Sequence, residues 1–178
     1  MEKIKNKTLK TIAIFIIKFN LLAIPLWILI YLNFSLPGLQ IFLASAIQNS
    51  LKIFGIETIR DGYFLGLMAN SNIRTIEINM DCTGWKSAYA LFALAIATPV
   101  ASNKKFKFLI IALPSIFLIN FFRVLSTIFI AYRFGFQYLE IVHTILWREG
   151  LILAVVLIWY LWLRKEKYNI KQKQAIFR

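Results

Sequence analysis

Long apolar runs dominate this chain of 178 residues. A helix needs roughly 17–25 mostly apolar residues to cross a bilayer, and four runs meet or approach that length. Runs of this kind constrain the fold strongly, because in lipid only a helix or a closed barrel satisfies its own backbone polar groups. They predict an all-α integral membrane protein with about four transmembrane helices, in a single membrane-embedded domain over residues 1–178. The runs are about Thr11–Leu32, Gly84–Ala101, Phe108–Ala131 and Thr144–Leu163.

Composition and charge exclude a soluble nucleic-acid-binding protein. Hydrophobic residues make up 60% of the chain and charged residues 16%, whereas a soluble domain has roughly 25% charged residues. The net charge of +13 does not indicate the basic face of a nucleic-acid site, because most lysines lie at the ends of apolar runs. We therefore expect no nucleic-acid partner. The first run exceeds the roughly 7–15 residues of a signal-peptide core, so we interpret it as a retained helix.

Basic residues cluster in three places, and their distribution predicts the orientation in the membrane. With four spans all the clusters lie on one side, and the positive-inside rule assigns that side to the cytoplasm. The sequence thus predicts a multi-pass protein of the cell membrane with cytoplasmic N- and C-termini. The clusters are Lys3, Lys5, Lys7 and Lys10; Lys104, Lys105 and Lys107; and Arg164, Lys165, Lys167, Lys171, Lys173 and Arg178.

Two features are predicted on the outer side, between the first and second spans. Polar residues interrupt the apolar stretch Leu36–Phe54, and a full span there would place the lysines at 104–107 outside. We therefore expect an interfacial or re-entrant helix. The following segments, Ile56–Phe64 and Ile73–Met80, alternate apolar and polar residues, the second more clearly. They predict a small extracytoplasmic β-hairpin joined through Ala69–Asn72.

Cys82 is the only cysteine of the chain and lies where a polar loop meets the second span, at the outer face. It cannot form an intrachain disulfide. A helix N-terminus favours the thiolate, which is the nucleophilic form. Lys86, four residues on, adds to that effect, while Asp81 opposes it. The alternative is a small apolar side chain packed at a helix end.

The third span contains a polar stripe that points to a partner inside the bundle. Asn120, Arg123 and Thr127 fall within a narrow arc of one helical face. An arginine within the membrane costs at least about 2.5–3.5 kcal/mol, so it normally faces the interior and has a function there. The alternatives are that Arg123 reaches the lipid headgroups or pairs with Glu149.

His143 is the only histidine and precedes the fourth span on the outer side. Its unperturbed pKa near 6.5 suits proton transfer at neutral pH, although an interfacial polar role is the alternative. A thiol, an imidazole and a cation from three helices at one leaflet make a Cys/His pair with a donor for an oxyanion.

These residues resemble the signatures of a known family. Asp81-Cys82-Thr83-Gly84, then Asn120-Phe121-Phe122-Arg123, then His143 near the last apolar run are similar to the cysteine, N-x-x-R and histidine motifs of exosortases and archaeosortases. That family consists of membrane-embedded transpeptidases. The resemblance covers helix order and spacing from about Asp81 to Gly150.

The resemblance implies a membrane cysteine protease or transpeptidase. Its partners would be secreted surface proteins whose C-terminal sorting signal comprises a motif, a transmembrane helix and a basic tail. Cys82 would attack a peptide carbonyl to form a thioester, with His143 as base and then acid and Arg123 as oxyanion stabiliser. Asn120 would orient Arg123, and a lipid amine or similar acceptor would resolve the thioester. No metal and no organic cofactor are expected.

Two other classes of function stay open at this point. Cysteine and histidine alone do not choose the acceptor, so an acyltransferase or a hydrolysing peptidase fits as well. A noncatalytic polytopic membrane subunit or small transporter is also open, with Arg123 and Asn120 lining a path. Arg148 and Glu149 form a structural ion pair in one interpretation and contact Arg123 in another.

Overall fold

Five α-helices and a small antiparallel sheet form the part of the protein that the computed structural model describes, residues 2–69, 72–136 and 148–176. A short 3-10 helix, Met80–Thr83, connects the sheet to the third α-helix. The helices are α1 Glu2–Tyr31, α2 Pro37–Ile53, α3 Trp85–Ala97, α4 Ser102–Phe134 and α5 Arg148–Ile176, and the strands are β1 Thr58–Asp61, β2 Phe64–Ala69 and β3 Asn72–Glu77.

Two helices are long and apolar enough to cross a membrane, among the residues that the structure describes. They are Leu9–Tyr31 within α1 and the whole of α4. None of the apolar window of α1 is buried inside the protein, so its apolar surface requires lipid or another partner. The protein is therefore mostly helical with two candidate spans, and the other two predicted crossings stay predictions.

The second predicted span, Gly84–Ala101, contains a shorter helix than expected. α3 has 13 residues and is about 20 Å long at 1.5 Å per residue, which is less than the roughly 30 Å of the hydrocarbon core. It ends at Thr98 because a residue before proline is disfavoured in the α region, and Thr98 is extended with ψ 132°. The last helix differs in the opposite sense, since α5 continues past Leu163 into the basic tail.

The long helices pack around α3, which contacts α1, α4 and α5. The centre of this bundle is apolar, with Leu91 of α3, Ile116 of α4 and Val155 of α5 in one buried cluster. The Tyr89 hydroxyl donates a 2.8 Å hydrogen bond to the carbonyl of Leu22 in α1. These contacts fix the relative register of α1, α3, α4 and α5.

One end of the bundle carries basic residues. Lys104, near the start of α4, forms an ion pair with Glu166 of α5. The ammonium of Lys105 donates a 2.6 Å hydrogen bond to the carbonyl of Ile96, near the end of α3. From Lys104 to Arg123 α4 rises by about 28 Å, close to the thickness of the hydrocarbon core. Arg123 therefore lies about one hydrocarbon-core thickness from the lysine end of the bundle.

The opposite end of the bundle is covered by α2 and the sheet. The sequence predicts two strands, whereas the described residues form three, in the order β1-β2-β3 with both pairs antiparallel. The chain reverses after Asp61 at Gly62, whose φ of 57° suits glycine. The sequence did not predict the middle strand, β2. It lacks a polar alternation because its exposed positions, Phe64 and Met68, are apolar like its buried ones. Residues 70–71 of the predicted hairpin joint lie outside the described residues.

Helix α2 packs against the sheet and forms the cap together with it. Its side chains Ile47 and Leu51 are fully buried against Leu65 and Leu67 of the sheet. Gln40 donates a 3.0 Å hydrogen bond to the carbonyl of Ile78, just before the 3-10 helix. The helix predicted at Leu36–Phe54 is thus present as a 17-residue helix, while its interfacial position stays a prediction.

Candidate active site

Cys82 lies in the 3-10 helix between the sheet and α3, where the cap meets the bundle. Its side chain is 8% exposed and belongs to the apolar cluster that contains Leu43 of α2 and Val124 and Ile128 of α4. The sequence predicts Cys82 at the N-terminus of the second helix, but a separate 3-10 turn and Gly84 precede that helix. The sulfur is therefore placed by the cap as much as by α3.

Asn79 holds the start of this turn. Its side-chain oxygen accepts a 3.1 Å hydrogen bond from the backbone N–H of Cys82, and its φ and ψ are extended as expected for a helix cap. Sequence reasoning missed this residue. The signal was present, since an asparagine three residues before the position it caps has the spacing of an N-cap.

Asn120 connects α4 to the same turn. Its side-chain nitrogen donates a 2.7 Å hydrogen bond to the carbonyl of Cys82, and the residue is 1% exposed. The side-chain oxygen of Asn120 is buried and receives no hydrogen bond from the described part of the chain. The residue predicted to orient Arg123 thus also holds the backbone of the candidate nucleophile.

Gly84 makes the approach of Asn120 possible. Its φ is +79°, a left-handed conformation that L side chains rarely adopt. A Cβ at this position would lie 2.7 Å from the Cγ of Asn120. Both the backbone angle and the space therefore require glycine in the Asp81-Cys82-Thr83-Gly84 string.

Burial raises the pKa of the Cys82 thiol, and this effect outweighs the charge of Arg123 and the hydrogen bond at Asn79, which both lower it. Asp81 and Glu77 raise the pKa further. The sequence predicted a thiolate favoured by a helix N-terminus, whereas the enclosed sulfur is held as a thiol at neutral pH. The charge of Arg123 nevertheless acts on the sulfur and lowers its pKa, while the catalytic role of Arg123 stays a prediction.

Lys86 forms an ion pair with Asp81, and its predicted support of the thiolate stays a prediction. Its ammonium lies 2.7 Å from a carboxylate oxygen of Asp81, and the two side chains are 41% and 66% exposed. An exposed pair of this kind contributes about 0–1 kcal/mol to stability.

His143 falls outside the residues that the structure describes, as do the side chains of Arg148 and Glu149. The roles predicted for these residues therefore stay predictions.

A cavity of about 610 Å³ lies between α2 and α4, next to the candidate nucleophile. Thr83 and Asn120 line it beside the site, and Phe42, Pro114 and Phe117 provide apolar walls. Within the described ranges, no group of three or more His, Cys, Asp or Glu side chains is placed to hold a metal ion.

Comparison with known proteins places the chain in a family. No curated protein and no solved structure matches it. A family model described as transmembrane exosortase matches residues 6–158, which include Cys82, Asn120, Arg123 and His143. The chain therefore belongs to the transmembrane exosortase family.

Proposed function

We propose that this protein is a membrane cysteine transpeptidase that removes the C-terminal sorting signal of secreted surface proteins and transfers them to a lipid or similar acceptor. One observation carries the proposal: the only cysteine is enclosed at the cap, fixed at its backbone by Asn79 and Asn120, and within reach of the charge of Arg123. Membership of the exosortase family supports the same chemistry.

The first step is acyl transfer to the sulfur. Because burial raises the pKa of Cys82, the thiol needs a base, and His143 takes its proton. The sulfur attacks the scissile carbonyl carbon, and Arg123 stabilises the oxyanion that forms. The intermediate collapses with cleavage of the C–N bond, and the leaving amine takes the proton from His143. The products are a thioester at Cys82 and a free amine at the start of the released tail.

The second step resolves the thioester. The amine of a lipid headgroup, or a similar nucleophile, gives its proton to His143 and attacks the thioester carbonyl. The C–S bond then breaks and Cys82 regains a proton. Access of this acceptor, rather than the reactivity of the thioester, distinguishes transfer from hydrolysis.

The two ends of the bundle support one orientation in the membrane. In this orientation the lysine end, with Lys104 and Lys105, lies in the cytoplasm together with both termini. The rise of about 28 Å along α4 from Lys104 to Arg123 supports a site at the extracytoplasmic interface. Secreted proteins present their sorting signals on that side.

The cavity between α2 and α4 receives the apolar helix of the sorting signal. Its walls are apolar, and it adjoins the turn of Cys82 through Thr83 and Asn120. Enclosure of Asn120, which is 1% exposed, weighs against the alternative in which it lines a transport path.

The experiment is co-expression with a secreted protein that ends in a motif, an apolar helix and a basic tail. Mass spectrometry of that protein's C-terminus measures cleavage and identifies the acceptor. Cys82→Ala and His143→Ala should each abolish cleavage while the enzyme still inserts, and Ser126→Ala, at an exposed position of α4, should not. Normal cleavage by Cys82→Ala or by His143→Ala would rule out the proposed mechanism. A silent Cys82→Ala with altered solute flux in Arg123→Ala would favour the transporter.

A further inference from the structure

A second cavity, of about 490 Å³, lies at the lysine end of the bundle, between α4 and α5. Phe108, Ala112 and Trp162 form apolar walls, and the mouth carries Lys107 and Lys165. None of its lining residues lines the cavity beside Cys82, and Lys107 lies about 24 Å along α4 from Arg123, so the acyl-transfer site does not use it.

The groove follows one face of each helix. On α4 the lining residues recur at helical spacing from Lys104 through Phe108 to Ser115, which extends the groove over about 16 Å. On α5 the lining residues include Trp162 and then Lys165. The rings of Phe108 and Trp162 stack with centroids 4.3 Å apart and hold the two helices together at this level. The walls are therefore a fixed part of the bundle.

Charge at the mouth is strongly positive. Lys104, which also lines the groove, forms an ion pair with Glu166, so its charge is compensated. Lys107 and Lys165 are exposed and make no ion pair with any residue that the structure describes. Two ammonium groups without an ion pair among the described residues thus line an apolar groove, which is complementary to a ligand that is anionic at one end and apolar along the rest.

We propose that this groove binds one anionic phospholipid, with its phosphate at Lys107 and Lys165 and an acyl chain along the wall formed by Phe108, Ala112 and Trp162. The 16 Å reach matches about one leaflet of the hydrocarbon core. Basic pockets between transmembrane helices bind such headgroups. The bound lipid joins α4 to α5 at the end opposite the catalytic site. This inference does not depend on the proposed transpeptidase activity.

The test is native mass spectrometry of the full-length protein in detergent with added phosphatidylglycerol or phosphatidylcholine. We expect one tightly retained phosphatidylglycerol and no retained phosphatidylcholine. Lys107→Gln with Lys165→Gln should weaken retention on the order of ten- to thirty-fold, since each lysine near an anionic lipid contributes about 1 kcal/mol. Lys10→Gln with Lys52→Gln removes the same charge outside the groove and should leave retention unchanged.

A second pair of measurements separates the lipid from its headgroup. Ser115→Phe fills the apolar part of the groove and should weaken phosphatidylglycerol retention while the unfolding temperature without lipid stays the same. Inorganic phosphate should raise the unfolding temperature less than phosphatidylglycerol does at equal concentration. Equal retention of both lipids, equal loss in the two double-lysine variants, or equal stabilisation by phosphate would each overturn the proposal. If Ser115→Phe does not fold, the comparison of lipid retention between the two double-lysine variants is the test.

Discussion

The side-chain nitrogen of Asn120 lies 2.7 Å from the carbonyl oxygen of Cys82, and this hydrogen bond joins two motifs that are 38 residues apart. Gly84 permits the contact, since a Cβ there would meet Asn120. Arg123 follows Asn120 by three residues, which is almost one helical turn, and its charge acts on the sulfur. The cysteine motif and the N-x-x-R motif are therefore in direct contact. The spacing of Asn120 and Arg123 on α4 places one at the backbone of Cys82 and brings the charge of the other to its sulfur.

Replacing Asn120 by leucine removes the bond to Cys82 at nearly constant size. The buried carbonyl of Cys82 then lacks its partner, which costs about 1–3 kcal/mol. We expect a lower unfolding temperature in detergent and a loss of cleavage larger than the loss of folded protein. Ser115→Ala, at a hydroxyl that bonds only within its own helix turn, is the matched control. Unchanged stability in Asn120→Leu would show that the bond does not form.

Substitution of Gly84 by alanine should destabilise the site more than any change of similar size elsewhere. A left-handed backbone costs an L residue roughly 1–2 kcal/mol, and the new Cβ would also displace Asn120. Gly38→Ala is the control, because nothing lies within 4 Å of a Cβ at that position. Equilibrium unfolding measures both variants, and equal effects would contradict the described geometry.

Loss of the Arg123 charge should make Cys82 less reactive. Arg123 lowers the pKa of the thiol, so Arg123→Ala raises that pKa and moves the pH profile of alkylation to higher pH. Because the chain has one cysteine, iodoacetamide labelling followed by intact mass reports Cys82 alone. Arg133→Ala removes the same charge at the exposed end of α4 and should leave the profile in place.

The opposite shift is expected at Asp81. Its carboxylate raises the pKa of Cys82, so Asp81→Asn lowers that pKa and moves the alkylation profile to lower pH. Release of Lys86 from its ion pair acts in the same direction. Glu57→Gln provides the comparison, because Glu57 is not one of the carboxylates that raise the pKa of Cys82. A shift to higher pH in Asp81→Asn would contradict the described electrostatics of the sulfur, because loss of the carboxylate and release of Lys86 both lower the pKa.

Helix positions were largely predictable, because long apolar periodicity leaves few alternatives. The predicted interfacial helix begins and ends within one residue of α2. The short length of α3 was signalled by Pro99 but was obscured by the apolar residues that continue past Ala97. The strand at Phe64–Ala69 was missed since both of its faces are apolar, which removes the alternation that identifies a strand.

The sequence singled out Cys82, Asn120 and Arg123, whose catalytic roles stay predictions, but it did not predict the electrostatics of the Cys82 sulfur. The placement of Cys82 at a helix start suggested a lowered pKa, whereas its enclosure by side chains of α2 and α4 raises it. Burial of this kind arises from contacts between distant segments, which no local pattern records. The partnership of Lys86 with Asp81 and the role of Asn79 depend in the same way on the turn that Gly84 allows.

A covalent intermediate at Cys82 is tested by the mass of the peptide that contains this residue, taken from enzyme quenched with acid during turnover of a tailed substrate. We expect a thioester adduct equal in mass to the substrate acyl portion, released by neutral hydroxylamine and absent when the apolar tail is deleted from the substrate. With one cysteine in the chain, such an adduct has a single site. Substrate cleavage that continues with Cys82 unmodified, or in Cys82→Ala, would contradict the proposed thioester mechanism.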